Sequence, residues 1–168
     1  MVSPTHNQII EVLKAVSLFQ DIKNMPEALE SLQAIMKTQT FSQGHVLIKQ
    51  GDAGDVFFVL TRGQVCIEKT TAEGDRYKVA VLKGESHAAF GEGGLVEGEA
   101  RSATVTCESD VECLVLTRND FNQFSVKSPQ YALPVIKRIA HILMSRLNQT
   151  SNDLMLLHKA LMSEIRSS

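Results

Sequence analysis

The alternation of apolar and polar residues divides the chain into a helical beginning, a strand-rich middle and a helical end. Apolar side chains recur three and four positions apart over residues 5–16 and 26–36, which predicts two short helices. The middle instead contains short apolar runs separated by turn residues, a pattern typical of antiparallel strands. These runs lie at residues 46–49, 56–61, 64–69, 77–82, 102–108 and 111–117.

Glycine and short polar residues interrupt the strand region at the points where the chain has to reverse direction. They are Gly51-Asp52, Arg62-Gly63, Glu73-Gly74-Asp75 and Ser109-Asp110. Because each of these turns separates successive runs, strand pairing is expected to be mostly local. About six to eight antiparallel strands are predicted.

The helical period returns after residue 117. Thr117 followed by Asp120 predicts a capped helix start, and Ser128-Pro129 predicts a second one with proline at the first helical position. Pro134 either kinks that helix or marks its true start. We therefore predict an α+β fold, in which N-terminal helices (1–40) precede a jelly-roll-like antiparallel β-roll (41–117) and C-terminal helices (118–168) follow.

A mostly apolar stripe runs along the final helix with alternating spacings of three and four, as in a coiled-coil seam. The stripe either packs on the β-roll of its own chain or pairs with the same helix of a second chain. Because one small roll does not cover so long a stripe, the pattern favours a homodimer of parallel helices. The members of this seam are Ile136, Ala140, Leu143, Leu147, Thr150, Leu154, Leu157 and Leu161.

The bulk composition argues against several classes of partner and chemistry. With a net charge of −2 and 21% charged residues, the chain has no strong field that would attract nucleic acid or a membrane surface. Its apolar runs are too short to span a bilayer and no signal peptide is recognised, so a cytoplasmic protein is expected.

Cys66, Cys107 and Cys113 are expected to be reduced core thiols. The five histidines are scattered, and we expect no enzyme activity, metal or cofactor.

The most informative stretch is the glycine-rich segment from Phe90 to Val105, between two predicted strands. Four glycines fall within residues 91–98. Backbone amides without neighbouring Cβ atoms, particularly at the start of a short helix, can face an anion. Arg101 can bind two phosphate oxygens with its planar guanidinium, and the Ser102 hydroxyl adds a donor. Glycine-rich turns before an arginine are common, so the segment alone is weak evidence for a phosphate site.

Two motifs in the right order point to one family. The segment from Phe90 onward resembles the phosphate-binding cassette of cyclic-nucleotide-binding domains, which has Phe-Gly-Glu and, further on, an arginine followed by a small residue and alanine. The segment from Lys49 to Val65 resembles the second signature of that family, a Gly-Asp-x-Gly-Asp turn that leads into a hairpin. The resemblance implies a β-roll receptor for a cyclic nucleotide.

The resemblance also implies a role for each cassette residue. Glu92 would accept a hydrogen bond from the ribose 2′-hydroxyl, while Arg101 and Ser102 would bind the cyclic phosphate and Gly91 with its neighbours would offer amides. One arginine balances the single negative charge of a cyclic phosphate diester. The implied set within the cassette is Phe90, Gly91, Glu92, Gly93, Gly94, Leu95, Arg101, Ser102 and Ala103.

Three features depart from the family pattern. Gly93 stands where an apolar residue usually follows Phe-Gly-Glu. The segment 83–89 is longer than usual and lacks the glycine expected near its end, where His87 is found. Arg62 replaces an acidic or small residue before the hairpin glycine, and we interpret it as a solvated turn residue. These departures leave the width of the pocket open.

The base should be read by the C-terminal helix. Residues 146–154 resemble the central dimer helix of the bacterial catabolite activator proteins, in which a Thr-Ser pair contacts the adenine amino group, one residue from each chain. Thr150 and Ser151 are the matching pair, although the Thr150 hydroxyl could instead bond to its own helix. The pair favours cAMP. Ser102 keeps cGMP open as an alternative, because a hydroxyl at that position contacts guanine in some relatives.

The expected output is the final helix itself. In the activator proteins a DNA-binding helix-turn-helix follows this helix, whereas the present sequence ends at Ser168 without a basic cluster, so DNA binding by this chain alone is not expected. The helix would report occupancy to its dimer partner or to an unidentified protein effector. The alternative class is a nucleotide-free adaptor or dimerisation module of the same fold. The joint presence of Glu92, Arg101 and Ser102 argues against an empty pocket.

Overall fold

A computed structural model describes residues 4–96 and 100–167. Residues 97–99 of the glycine-rich segment therefore lie outside the described residues. The two helices predicted near the N-terminus are present, α1 at His6–Ala15 and α2 at Pro26–Ile35, and a 3-10 helix at Ser17–Ile22 connects them.

The first two helices begin where their capping residues predict. The Thr5 hydroxyl accepts a hydrogen bond from the Gln8 amide, and the Gln8 side chain accepts one from the Thr5 amide, which satisfies two amide groups that the first turn of α1 leaves without helical acceptors. Pro26 is the first residue of α2, where a missing N–H costs no helical hydrogen bond.

Within the described residues, eight strands form two four-stranded antiparallel sheets. The strand order is β1-β8-β3-β6 in the first sheet and β2-β7-β4-β5 in the second. This arrangement confirms the predicted α+β class with an antiparallel β-roll. The predicted domain boundary between residues 40 and 41 falls inside β1. The strands are β1 Lys37–Phe41, β2 Val46–Ile48, β3 Val56–Arg62, β4 Gln64–Thr70, β5 Arg76–Lys83, β6 Ala89–Phe90, β7 Thr104–Cys107 and β8 Val111–Thr117.

The prediction of mostly local strand pairing is wrong. Of the described strand pairs, only β4–β5 joins strands that are consecutive in the sequence. The turn at Gly63, whose φ is +82°, instead carries the chain from the first sheet into the second. Strand β3 shows the reason, because Phe57 and Phe58 are both buried on opposite faces and the strand is flanked by β8 and β6. Strand β3 thus has a neighbouring strand at each edge and an apolar layer on each face, and the strands next to it in the sequence, β2 and β4, supply neither edge.

Two apolar clusters lie on the opposite faces of the first sheet. The inner cluster fills the roll, and the outer cluster joins that sheet to the helices. Phe90 belongs to the inner cluster and Leu95 to the outer one, so the glycine-rich segment connects the interior of the roll with the helical layer. The inner cluster comprises Ile48, Phe58, Leu60, Val65, Phe90, Val105, Cys107, Val111, Cys113 and Val115.

Two helices follow the last strand, α3 at Arg118–Lys127 and α4 at Pro129–Ser167. Thr117 caps α3, as predicted, by accepting from the Asp120 amide at 3.1 Å. Helix α4 begins at Pro129 and continues through Pro134, so the interpretation that Pro134 marks its start is wrong. The first turns of α4 pack into the outer cluster through Ala132, Val135 and Ile139.

The second half of α4 leaves the body of the domain. Every residue from 143 to 166 is exposed, and the seam residues Leu154 and Leu157 are 67% and 68% exposed. The interpretation that the seam packs on the roll of its own chain is therefore wrong from Leu147 onward. Within residues 4–96 and 100–167, no helix combines the length and hydropathy needed to cross a bilayer.

The three cysteines are buried, as predicted. Burial raises the pKa of the Cys113 thiol to about 12, and burial is also the main cause of the raised pKa values of Cys66 and Cys107. All three thiols are therefore protonated at neutral pH and have little nucleophilic character.

His87 explains one departure from the family pattern. Its φ is 47°, the only positive φ among the described residues other than glycine. Glycine adopts this left-handed conformation without a Cβ penalty, whereas other residues lose about 1–2 kcal/mol there. The backbone at His87 thus has the geometry for which the expected glycine is suited.

Candidate functional site

A cavity of about 550 Å³ lies between the roll, the glycine-rich segment and α4. Eight of the nine cassette residues singled out from the sequence line it. The exception is Leu95, which is buried in the outer cluster beneath the segment. The lining residues from the cassette are Phe90, Gly91, Glu92, Gly93, Gly94, Arg101, Ser102 and Ala103.

Residues that the sequence pattern does not single out for the site complete the cavity wall. Strands β4 and β5 contribute Ile67, Lys69 and Val79, and α4 contributes Leu143 and Arg146. Among the described lining residues three cations, Lys69, Arg101 and Arg146, face one carboxylate, Glu92. A cavity with an apolar wall and an excess of positive charge suits an anionic ligand that also has an apolar part.

Thr150 and Ser151 do not line the cavity. Both lie on the exposed half of α4, beyond Leu143 and Arg146, which are the residues of this helix that reach it. Thr150 lies four positions after Arg146, about 6 Å further along the helix axis. In this position of α4, the predicted base-reading pair is therefore separated from the cassette.

The Arg101 guanidinium is held by backbone carbonyls on the cavity wall. Its Nη1 donates to Gly91 O at 3.1 Å and its Nη2 donates to Val56 O at 2.6 Å. Burial lowers the pKa of Arg101, and repulsion by Arg118 adds to the lowering, while the carboxylates of Asp55 and Glu92 oppose it. The group nevertheless stays protonated, because arginine has so high an intrinsic pKa. The site therefore contains a half-buried cation whose hydrogen bonds to Gly91 O and Val56 O go to neutral carbonyls.

Three glycines make the space that this guanidinium occupies. A Cβ on Gly54 would overlap the Arg101 guanidinium, and a Cβ on Gly94 would lie 2.9 Å from both of its terminal nitrogens. Gly91 has a φ of +82°, and a Cβ there would lie 2.8 Å from Val56 O. Gly54 and Gly94 are thus required by the Arg101 guanidinium, and Gly91 by its positive φ and the nearby Val56 carbonyl. The Gly94 amide is not free to face an anion, because it donates to Gly91 O at 2.9 Å.

Glu92 is the carboxylate of the lining. It is 7% exposed and is the only buried charged residue in the part of the chain that the structure describes. Its Oε1 receives no hydrogen bond of regular geometry, but it forms an ion pair with Nη1 of Arg146 from α4. A buried carboxylate needs a counterion or hydrogen-bond donors, and α4 supplies the counterion here.

Comparison with known proteins agrees with this geometry. Residues 38–128, more than half of the chain, match the family model of the cyclic nucleotide-binding domain. The chain belongs to the cyclic nucleotide-binding domain family. The matched residues include all strands of the roll except the first residue of β1, and they extend through α3.

Individual relatives of this cyclic nucleotide-binding domain include both cGMP- and cAMP-dependent proteins. The chain is 35% identical over 115 residues to human cGMP-dependent protein kinase 2, covering 66% of this chain and 14% of the kinase. It is 33% identical over 115 residues to the cAMP-dependent protein kinase regulatory subunit of Dictyostelium discoideum, covering 67% of this chain and 34% of that subunit. The crystal structure of the Thermus thermophilus catabolite activator protein gives a TM-score of 0.72 at 27% identity, over 84% of this chain and 62% of that one.

Two departures from the family pattern have little effect on the cyclic nucleotide-binding domain. A Cβ at Gly93 would meet no atom within 4 Å, so the glycine leaves open space where relatives have a side chain. Arg62 is exposed at the end of β3 and is absent from the lining. The cavity therefore has additional space at Gly93, and Arg62 does not take part in its wall.

Proposed function

We propose that this domain is a receptor for a purine cyclic nucleotide, cAMP in the first instance, and that it reports ligand occupancy through α4. It would act as a regulatory module rather than as an enzyme, in the cytoplasm. The observation that carries the proposal is Arg101, a half-buried guanidinium enclosed by three glycines at the wall of a cavity that also contains Glu92.

The cyclic phosphate would bind at Arg101. A planar guanidinium has five N–H donors, and the two bonds to Gly91 O and Val56 O leave further donors for phosphate oxygens. A cyclic phosphate diester carries one negative charge, which one arginine neutralises inside the cavity. The Ser102 hydroxyl at the cavity wall would add a neutral donor.

The ribose would bind at Glu92 and compete there with Arg146. Glu92 is an acceptor for the 2′-hydroxyl, and the same carboxylate is paired with Arg146 of α4. A ribose that takes this carboxylate releases Arg146 and so changes the attachment of α4 to the cassette. This exchange of partners is a physical route from occupancy to helix position.

Base selection rests on α4 as well. Thr150 and Ser151 would approach the purine if α4 moves on binding or if a second chain contributes its own α4. The matching pair in the sequence favours adenine. cGMP is the second candidate, supported by the similarity to cGMP-dependent protein kinase 2 and by the position of Ser102 on the cavity wall.

A screen of melting temperature separates a receptor from an empty adaptor. A ligand that binds only the folded state at about 100 times its Kd adds about 2.7 kcal/mol, or about 5–10 °C for a domain of this size. We expect this shift with cAMP, a smaller one with cGMP and none with AMP, which has an open dianionic phosphate. A chain whose melting temperature is unchanged by either cyclic nucleotide is the adaptor instead.

The exposed half of α4 is proposed to pair with the same helix of a second chain. An apolar seam that is more than half exposed over several turns gains stability from burial against a copy of itself. We expect Leu154→Lys to give a monomer in sedimentation velocity, since an ammonium group would have to be buried in the seam. Asn152→Lys places the same charge off the seam and should remain dimeric. A monomeric unmodified chain at about 50 μM would contradict the pairing, because specific dimers usually bind more tightly than this.

A further inference from the structure

A second arginine, Arg118, connects the same two loops. It is the first residue of α3, and its side chain does not line the cavity. Its Nε donates to Gly94 O and its Nη2 donates to Gly54 O, both at 2.8 Å. Its own amide donates to Asp55 O at 2.7 Å. One residue thus joins the cassette, the turn before β3 and the start of α3.

Each of the two arginines links these loops by donating to one backbone carbonyl in each. Arg101 joins Gly91 O to Val56 O, and Arg118 joins Gly94 O to Gly54 O. Gly54 and Gly94 are also the glycines whose missing side chains make room for the Arg101 guanidinium. The carbonyls that Arg118 holds therefore belong to the residues that form the seat of Arg101.

The hydrogen bonds of the two arginines would respond differently to an anion in the cavity. Arg101 faces the cavity, so a bound phosphate competes with Gly91 O and Val56 O for its donors. Arg118 is not among the lining residues, so a bound phosphate would leave its hydrogen bonds to Gly54 O and Gly94 O in place. The spacing of the two loops in the occupied state then depends on Arg118.

We infer that Arg118 is a positioning residue of the phosphate site: it holds the two glycine loops at the separation that aims Arg101 into the cavity, and it links them to α3. This inference rests on the proposed function. It assigns Arg118 no contact with the ligand. Such a role is distinct from general stabilisation, because it predicts an effect on the orientation of the phosphate.

Arg118→Lys tests the inference, because an ammonium group keeps the charge but does not reproduce a fork that spans two carbonyls. The matched control is Arg138→Lys on α4, where the arginine Nε also donates to a backbone carbonyl, Ser17 O at 3.1 Å, away from the cavity. Calorimetry would measure the affinity for cAMP and for its two phosphorothioate diastereomers, in which sulfur replaces one or the other exocyclic oxygen. Melting curves would establish that each variant is folded.

We expect Arg118→Lys to lose on the order of tenfold in cAMP affinity and to discriminate less between the two diastereomers, with Arg138→Lys unchanged in both. An unchanged diastereomer ratio in Arg118→Lys, with or without an affinity loss, overturns the inference while the receptor function stands. Failure of the unmodified chain to bind any of the three nucleotides refutes the proposed function, and the inference with it.

Discussion

Arg101→Ala is expected to reduce cAMP affinity by two to four orders of magnitude while the domain stays folded. Charge-assisted hydrogen bonds contribute about 1.5–3 kcal/mol each, and the guanidinium would make two of them with the phosphate. The variant also loses the bonds to Gly91 O and Val56 O, so its melting temperature should fall by a few degrees. Calorimetric titration with cAMP provides the measurement.

Arg101→Lys provides the matched control for charge. An ammonium group retains the positive charge but donates as a point and not as a planar fork, so we expect an affinity between those of the unmodified chain and Arg101→Ala. Unchanged cAMP affinity in folded Arg101→Ala would show that the phosphate binds elsewhere.

Glu92→Gln is expected to weaken cAMP by roughly tenfold and to remove most of the preference for a ribose 2′-hydroxyl. A carboxylate accepts a hydrogen bond about twice as strongly as a neutral amide does, and glutamine has nearly the same shape. The measurement is the ratio of affinities for cAMP and for 2′-deoxy-cAMP in each chain. The unmodified chain should prefer cAMP clearly, and the Gln variant should show a ratio close to one.

Arg146→Ala should act in the opposite direction, because Arg146 and the ribose 2′-hydroxyl would compete for the Glu92 carboxylate. Removing the competitor leaves the carboxylate free for the ribose, so affinity should rise. Since the Arg146 side chain is largely exposed, the gain should be small, roughly two- to fivefold. Weaker binding in this variant would mean that Arg146 contacts the ligand and is not displaced by it.

The cassette could be predicted from the sequence because its residues are close together in the chain. Glu92 and Arg101 are nine positions apart, and the glycines between and before them are fixed by local backbone and steric needs at Gly91 and Gly94. In such a motif, the local backbone fixes the positions of the residues relative to one another. The structure accordingly places eight cassette residues around one cavity.

The parts that the sequence did not predict depend on long-range packing. The docking of Ala132, Val135 and Ile139 on the helical layer determines which residues of α4 reach the cavity. It brings Arg146 to the cavity wall, where it pairs with Glu92, and leaves Thr150 outside. The regular spacing of the seam does not indicate which side of α4 faces the cavity. Arg118 resembles an ordinary charged residue in a first helical turn, and its acceptors are 24 and 64 positions away.

Strand β1 was missed for a related reason. Four of its five residues, in the sequence Lys-Thr-Gln-Thr-Phe, are exposed, so it lacks the alternating burial that identifies a strand. It becomes a strand because β8 offers it an open edge, with pairs from Lys37–Val115 to Phe41–Val111. Edge strands of this kind are determined by their neighbour rather than by their own pattern.

The most direct test is a crystal structure of the chain with cAMP bound. The account predicts the cyclic phosphate in the cavity with its exocyclic oxygens on the Arg101 guanidinium, the ribose 2′-hydroxyl on Glu92, and Arg146 displaced from that carboxylate. A structure in which the nucleotide lies outside this cavity, or in which Arg101 makes no contact with the phosphate, would contradict it.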